Sequence, residues 1–153
     1  MSESSATKTL RDNLVSRGAH IQRIEDKLTS GIPDTNACLN GTEFWAEGKF
    51  LKELPKRNST LATFGKKGEP RLIHQCNWLT ARAKAGGLTF WWLRVRDGDG
   101  AGWYIFHDVE EFQWLKTGVP KIWLLEFENK FPTAKTMVDY IQEVLVPNHH
   151  QDV

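Results

Sequence analysis

The chain has 153 residues, of which 40% are hydrophobic and 25% are charged, so it is long enough to bury the core of one globular domain. Its 20 lysines and arginines nearly balance its 19 acids, which excludes a chain that is basic throughout and requires any nucleic-acid surface to be local. Two cysteines, Cys38 and Cys76, are too few for a disulfide framework. No apolar run reaches the roughly 20 residues that span a bilayer, and residues 1–7 lack the apolar core of a secretory signal. We therefore expect an intracellular, cytoplasmic protein without a membrane segment.

Apolar periodicity and turn residues predict an ordered series of helices and strands. In chain order, we expect a helix over 5–17, a strand over 19–25, hairpin strands over 32–39 and 42–50, a basic loop over 51–71, a helix over 70–85, strands over 88–96 and 102–107, a helix over 108–116, a strand or a continued helix over 122–127, and a helix over 133–146. This series predicts an α/β fold, with a central β-sheet flanked by helices. We treat 1–153 as a single domain whose core covers about 8–127.

The hairpin carries the most informative residues of the chain. Asn40-Gly41 is a strong signal for a two-residue turn, which would pair Leu39 with Thr42. Continued along the strands, the same register places Asp34 opposite Glu47. Directly opposed side chains share a face of the sheet, with Cβ atoms about 4.5–5.5 Å apart. Two carboxylates at that separation repel each other unless a proton or a cation lies between them.

A lysine completes this group. Lys49 lies two residues beyond Glu47, so the alternation of a strand points it to the same side. Hydrolysis of a phosphodiester needs a cation on the phosphate and an activated water, and carboxylates are suitable ligands for Mg²⁺. A neighbouring ammonium can orient the water or stabilise developing negative charge. The competing interpretation is a solvated face of an exposed hairpin, but the register set by the turn favours a site.

The motif resembles that of a known nuclease superfamily. Ile32-Pro33-Asp34, followed by Glu47-Gly48-Lys49, is similar to the PD-(D/E)xK signature, and most closely to small phage-type and VRR-NUC-like endonucleases. The resemblance continues through Gln75, Gly86-Gly87 and the apolar strand, and covers about 8–96. It implies a restriction-endonuclease-like core, which is a central mixed β-sheet flanked by helices, and it is compatible with a phage-encoded protein.

The resemblance also implies roles for particular residues. Asp34 and Glu47 would bind Mg²⁺ or Mn²⁺ with the backbone of Gly48, Lys49 would be catalytic, and Gln75 would touch the site or the DNA backbone. Many members of the superfamily draw one more acid from the first helix or nearby. Glu25, and more weakly Glu3, are candidates for that acid here, and a plain surface charge is the alternative for Glu25.

Two features modify this interpretation. The family usually has an apolar residue where this chain has Gly48, and a glycine often marks a bulge that would misplace Lys49. The predicted basic loop offers cations that could meet phosphates, although charged loops are often only solvated. These cations are Lys52, Lys56, Arg57, Lys66, Lys67 and Arg71.

The sequence thus predicts a metal-dependent endonuclease that hydrolyses DNA, and several kinds of nuclease fit this prediction. The alternatives left open are a Holliday junction resolvase for branched DNA, a restriction or homing enzyme, a non-specific repair nuclease, and a catalytically silent nucleic-acid-binding module on the same scaffold. A homodimer or higher homo-oligomer is compatible with each of the enzymes, because a small nuclease domain often cuts both strands as a dimer.

Overall fold

The computed structural model describes residues 2–24, 31–65 and 69–147. Three of the candidate residues, Glu25, Lys66 and Lys67, lie outside the described residues, and so does the side chain of Glu3. The helices are α1 (Glu3–Ser16), α2 (Pro70–Lys84), α3 (Val109–Phe112), α4 (Trp114–Thr117), α5 (Lys121–Leu125) and α6 (Ala134–Tyr140), the last continued by a π-helical turn, Ile141–Leu145. The strands are β1 (His20–Arg23), β2 (Thr35–Leu39), β3 (Thr42–Glu53), β4 (Leu61–Ala62), β5 (Leu88–Asp97), β6 (Gly102–Phe106), β7 (Val119–Pro120) and β8 (Lys130–Phe131).

Six of these strands form the predicted mixed sheet, in the order β1-β2-β3-β5-β6-β8. The pair β3–β5 is parallel and the other neighbours are antiparallel. The parallel pair requires a crossover connection, and α2 provides it. Strands β4 and β7 form a separate two-stranded sheet. The α/β fold with a central mixed sheet flanked by helices is therefore confirmed.

The sheet is buried on both faces, which explains why β5 is apolar along most of its length. Phe90 and Trp92 point into a cluster with residues of α1 and α6. The intervening side chains, Trp91, Leu93 and Val95, point into a second cluster with residues of α2 and the short helices. Helices α1 and α2 thus lie on opposite faces of the sheet.

The hairpin has the predicted register. Asn40 and Gly41 have φ values of 56° and 79°, as a type I′ turn requires at both central positions. The ladder pairs Leu39 with Thr42 and ends at Thr35 with Ala46. Because β3 continues to Glu53, it extends well past the start of β2.

Several element boundaries differ from the prediction. The loop predicted over 51–71 is shorter, because β3 continues alongside β5 as far as the pair Glu53 and Asp97, and β4 occupies part of the remainder. The undecided segment over 122–127 is helical, as α5. The predicted helix over 108–116 is divided into α3 and α4. The two-residue strands β7 and β8 were not predicted, since strands so short have no periodicity to detect.

Apolar spacing in the sequence predicts an inner face of α2 with Ile73, Trp78 or Asn77, Leu79 and Ala81, and the structure agrees only in part. Leu79 is buried, but Ile73 is 36% exposed and Ala81 is exposed as well. The buried residues of the helix are Leu72, Gln75, Cys76 and Leu79. The helix is rotated so that a glutamine points inward, which hydrophobicity alone does not indicate. None of the helices in the described parts of the chain is long and apolar enough to cross a bilayer.

Candidate active site

The candidate site lies at the notch where β2 begins and β3 continues without it. Asp34 immediately precedes β2, and its Oδ2 accepts a hydrogen bond from the backbone N–H of Gly48 at 3.3 Å. Its Oδ1 accepts one from the Thr35 hydroxyl at 3.0 Å. These bonds hold the Asp34 carboxyl against the middle of β3, beside Glu47. The hairpin register therefore brings the two acids together, as their spacing in the sequence predicts.

The two acids form a tightly coupled pair. Glu47 is 5% exposed, and Asp34 is partly buried. Burial raises the pKa of the Asp34 carboxyl above its ordinary value. Burial and the neighbouring charge of Asp34 raise the pKa of Glu47 well above its ordinary value. A proton or a cation is needed to neutralise this pair, as expected for two carboxylates in one buried site.

Lys49 and Gln75 extend the pair into a network. The ammonium of Lys49 donates to Oε1 of Gln75 at 2.7 Å, and Nε2 of Gln75 donates to Oε1 of Glu47 at 3.1 Å. Gln75 is buried, so its amide has little freedom to turn. It therefore fixes the position of Lys49 relative to Glu47. The Gln75 side chain reaches the site because this side of α2 faces the sheet.

Gly48 does not form the bulge that its identity suggested. The pairing of β3 with β5 keeps one register from Phe44–Leu88 to Leu51–Val95. A Cβ atom at position 48 would lie 2.3 Å from Cζ2 of Trp92. The glycine is there because the Trp92 indole lies over the strand on the face opposite Glu47. The alternation of the strand is intact, and Lys49 shares the face of Glu47.

A cleft of about 670 Å³ surrounds this network. Besides the four network residues and Gly48, its walls come from both faces of the sheet. They include Ser4, Thr7 and Arg11 of α1, Arg23 and Ile24 at the end of β1, Ile32 and Thr35 near the start of β2, Phe64 and Gly65, and Glu69, Arg71 and Leu72 at the start of α2. The site is thus an open cleft with charged walls.

The cleft divides the predicted phosphate-binding cations into two groups. Arg71 lines it, whereas Lys52, Lys56 and Arg57 are exposed and lie outside its walls. β3 carries the chain away from the notch, so these three cations do not line the cleft, and their contact with DNA stays a prediction.

Sequence reasoning missed a second group of residues. Ser4, Thr7 and Arg11 line the cleft from α1, and Arg23 lines it from β1. A signal for the first three was present, since positions 4, 7 and 11 lie on one side of a helix whose other side carries the apolar residues. Nothing in the local sequence of Arg23 indicates that it faces the site.

The donor set fits a hard divalent cation. Asp34 and Glu47 offer carboxylate oxygens, and Mg²⁺ is commonly held by one or two carboxylates while it keeps several waters. The described lining of the cleft contains no histidine or cysteine, which are the ligands that Zn²⁺ prefers, and the described residues include no group of three or more histidine, cysteine or acidic side chains placed to hold a metal. The N–H of Gly48 holds Asp34, and the role of its backbone as a metal ligand stays a prediction.

Comparisons with known proteins found similarity only at the level of structure. No family model matches the chain, and a search of curated proteins gave no match. Similar solved structures include the Holliday junction resolvase Hjc of Archaeoglobus fulgidus, at 19% identity and a TM-score of 0.42, covering 65% of this chain and 74% of that one. They also include a VRR_NUC domain, at 17% identity and a TM-score of 0.42, covering 74% of this chain and 91% of that one. Similarity at this level assigns no function, which depends on the chemistry of the cleft.

Proposed function

We propose that this protein is a metal-dependent nuclease that hydrolyses phosphodiester bonds in DNA. The proposal rests on one observation. Asp34 and Glu47 lie side by side in a cleft that Lys49 and Arg71 also line. A buried acid pair is costly to the fold, and strongly raised pKa values in a cleft are a recognised mark of functional sites. The neighbouring cations suit an anionic substrate such as a phosphodiester.

Asp34 and Glu47 would hold Mg²⁺ or Mn²⁺. When bound, the ion supplies positive charge that neutralises the scissile phosphate. The hydrogen bonds from Thr35 and Gly48 orient the Asp34 carboxyl, and the bond from Gln75 orients Glu47. Preorganised ligands of this kind avoid a reorganisation cost during the reaction.

Lys49 would act on the reacting phosphate or the attacking water. Its ammonium stabilises negative charge that develops on the phosphate, or orients the water by a hydrogen bond. Gln75 positions this ammonium through the 2.7 Å contact. Replacing Gln75 by leucine should lower the cleavage rate by about 10–100-fold, as is typical when the partner that orients a catalytic group is lost. Affinity for DNA should change little, because the positive charge remains.

The test is a cleavage assay on linear, nicked, flapped and four-way DNA, with and without Mg²⁺ or Mn²⁺. The variants are Asp34→Asn, Glu47→Gln and Lys49→Met, and the control is Glu110→Gln on the exposed side of α3. We expect each site variant to lose at least about 100-fold in rate, and the control to cut normally. Normal cutting by Glu47→Gln would show that the site is assigned wrongly. Absence of cleavage of all four substrates by the natural protein would refute the proposal.

The same assay separates the kinds of nuclease. A junction resolvase would prefer the four-way substrate to a linear duplex of the same sequence. A restriction or homing enzyme would give discrete fragments from a long linear DNA, whereas a non-specific nuclease would give a smear. Sedimentation of the protein with and without DNA would show whether a dimer is the active form.

A further inference from the structure

The walls of the cleft carry more positive charge than the proposed reaction at the acid pair uses. Among the described residues of its lining are four cations, Arg11, Arg23, Lys49 and Arg71, and three acids, Asp34, Glu47 and Glu69. With a proton or a divalent ion at the acid pair, this described part of the lining has more cationic than anionic side chains. Such a cleft favours a ligand with more than one negative charge.

Two of these cations, Arg11 and Arg23, lie on a different wall of the cleft from Arg71. Arg11 comes from α1 and Arg23 from the end of β1, whereas Arg71 is on α2, which lies on the other face of the sheet. Within the described part of the chain, Arg11 forms no ion pair with a carboxylate. Its guanidinium is therefore available to an external anion.

The same wall offers hydroxyl groups. Ser4 and Thr7 line the cleft from the same side of α1 as Arg11. The opposite side of the helix is fixed, because Ala6, Leu10 and Leu14 are buried in the core. The packing of α1 therefore keeps its polar side in the cleft. Guanidinium and hydroxyl groups are frequent donors to phosphate oxygens in complexes with DNA.

We propose that Arg11 and Arg23, with the hydroxyls of Ser4 and Thr7, form a site for an internal backbone phosphate next to the scissile one. This inference rests on the proposed nuclease function and adds the path of the substrate. The DNA strand crosses the notch between α1 and α2, and Arg71 contacts it from the other wall. The loop cations Lys52 and Arg57 take no part.

The experiment measures DNA affinity where cleavage cannot interfere. The binding of a fluorescent duplex and of a single strand is followed by anisotropy, in Ca²⁺ without Mg²⁺ and at several salt concentrations. The variants Arg11→Gln and Arg23→Gln each remove one positive charge from the wall. Arg57→Gln is the matched control, because it removes the same charge from an exposed position outside the cleft. Circular dichroism and thermal unfolding check that each variant is folded.

We expect Arg11→Gln and Arg23→Gln to weaken binding about tenfold each, which is the typical loss for one hydrogen bond to a charged group. Each should also reduce the slope of log affinity against log salt by about 0.9 on duplex DNA. Arg57→Gln should change neither quantity. Arg11→Lys should restore most of the salt slope and only part of the affinity, because lysine keeps the charge without the planar pair of donors. Ser4→Ala with Thr7→Ala should weaken binding by a smaller factor and leave the salt slope unchanged.

Three results would overturn the inference. One is normal affinity in Arg11→Gln and Arg23→Gln, a second is an equal loss in Arg57→Gln, and a third is no measurable binding by the natural protein. Strands with and without a 5′-phosphate are compared as well, and a loss confined to phosphorylated ends would assign the wall to a terminal phosphate instead of an internal one. If the natural protein cuts DNA with Mg²⁺ while the wall variants bind normally, only this inference fails. If it cuts no DNA, the proposed function fails independently.

Discussion

Replacing Glu47 by glutamine should stabilise the protein when no divalent ion is present. Asp34 and Glu47 lie one position beyond the last pair of the hairpin, Thr35 and Ala46, and opposed residues in a continued ladder would have Cβ atoms about 5 Å apart. Two full charges at about 5 Å repel each other by roughly 3 kcal/mol at an effective dielectric constant of about 20. Glutamine removes this repulsion but keeps the shape and the oxygen that accepts the hydrogen bond from Gln75.

The attraction of Lys49 and Arg71 offsets part of the repulsion at Glu47. We therefore expect a net gain of about 2 kcal/mol in the free energy of unfolding, or about 4–8 °C in melting temperature for a domain of this size. The gain depends on pH. The pKa of Glu47 is raised in the folded protein, so the folded state binds the proton more tightly than the unfolded state. The natural protein then loses stability as the pH rises from the ordinary value of 4.5 through the raised pKa. The advantage of the variant should be absent at pH 4 and should grow as the pH rises through the raised pKa of Glu47.

The assay is thermal unfolding of the natural protein, Glu47→Gln and the control Glu110→Gln, each at pH 4 and pH 8 in EDTA and at pH 8 with Mg²⁺. Mg²⁺ should reverse the order at pH 8, because an ion bound only by the folded state stabilises it by about 2.7 kcal/mol at 100 times its dissociation constant. A melting temperature of Glu47→Gln at or below that of the natural protein at pH 8 in EDTA would refute the reasoning. Equal stabilisation of both proteins by Mg²⁺ would show that the ion binds elsewhere.

Three other predictions follow from single contacts. Gly48→Ala should lower the free energy of unfolding by about 1–3 kcal/mol in urea titrations, because its Cβ overlaps the Trp92 ring, and the loss should shrink when Trp92 is leucine. Gly41→Val should cost about 1–2 kcal/mol in the same titrations, since φ is 79° at that position, and no loss would mean that the turn is formed differently. Of the two cysteines, exposed Cys38 should react with a thiol reagent in the native protein, whereas buried Cys76, whose pKa burial raises, should react only on unfolding.

The acid pair could be predicted from the sequence because its geometry depends on a local signal. Asn40-Gly41 sets the register, which carries the pairing as far as Thr35 and Ala46, and the next position on each strand holds Asp34 and Glu47. The long apolar run of β5 was equally informative, since a strand that is apolar on both faces has to be central. These elements are governed by interactions between residues close in sequence or by burial of a whole segment.

The walls of the cleft could not be predicted in the same way. Arg11 reaches the site because α1 packs against β1 and β3, and Arg23 reaches it because β1 pairs with β2 beside Thr35, and both placements depend on tertiary packing. The loop cations attract attention in the sequence because they are numerous and close to Lys49. Nearness along the chain does not place them at the cleft, since β3 extends to Glu53 and carries Lys52 away from the notch.

The position of Asp34 also depends on a close approach between the chain and α2. Gly31 has φ of 90°, and a Cβ atom there would lie 2.6 Å from the backbone carbonyl of His74. The chain entering β2 therefore passes directly against the backbone of α2, one residue before Gln75. Any larger residue at position 31 would push the helix and the hairpin apart. Gly31 and Gly48 thus both shape the site. Gly31 lets α2 approach closely enough to bring Gln75 to the acid pair, and Gly48 lets Trp92 pack against the face of β3 opposite Glu47.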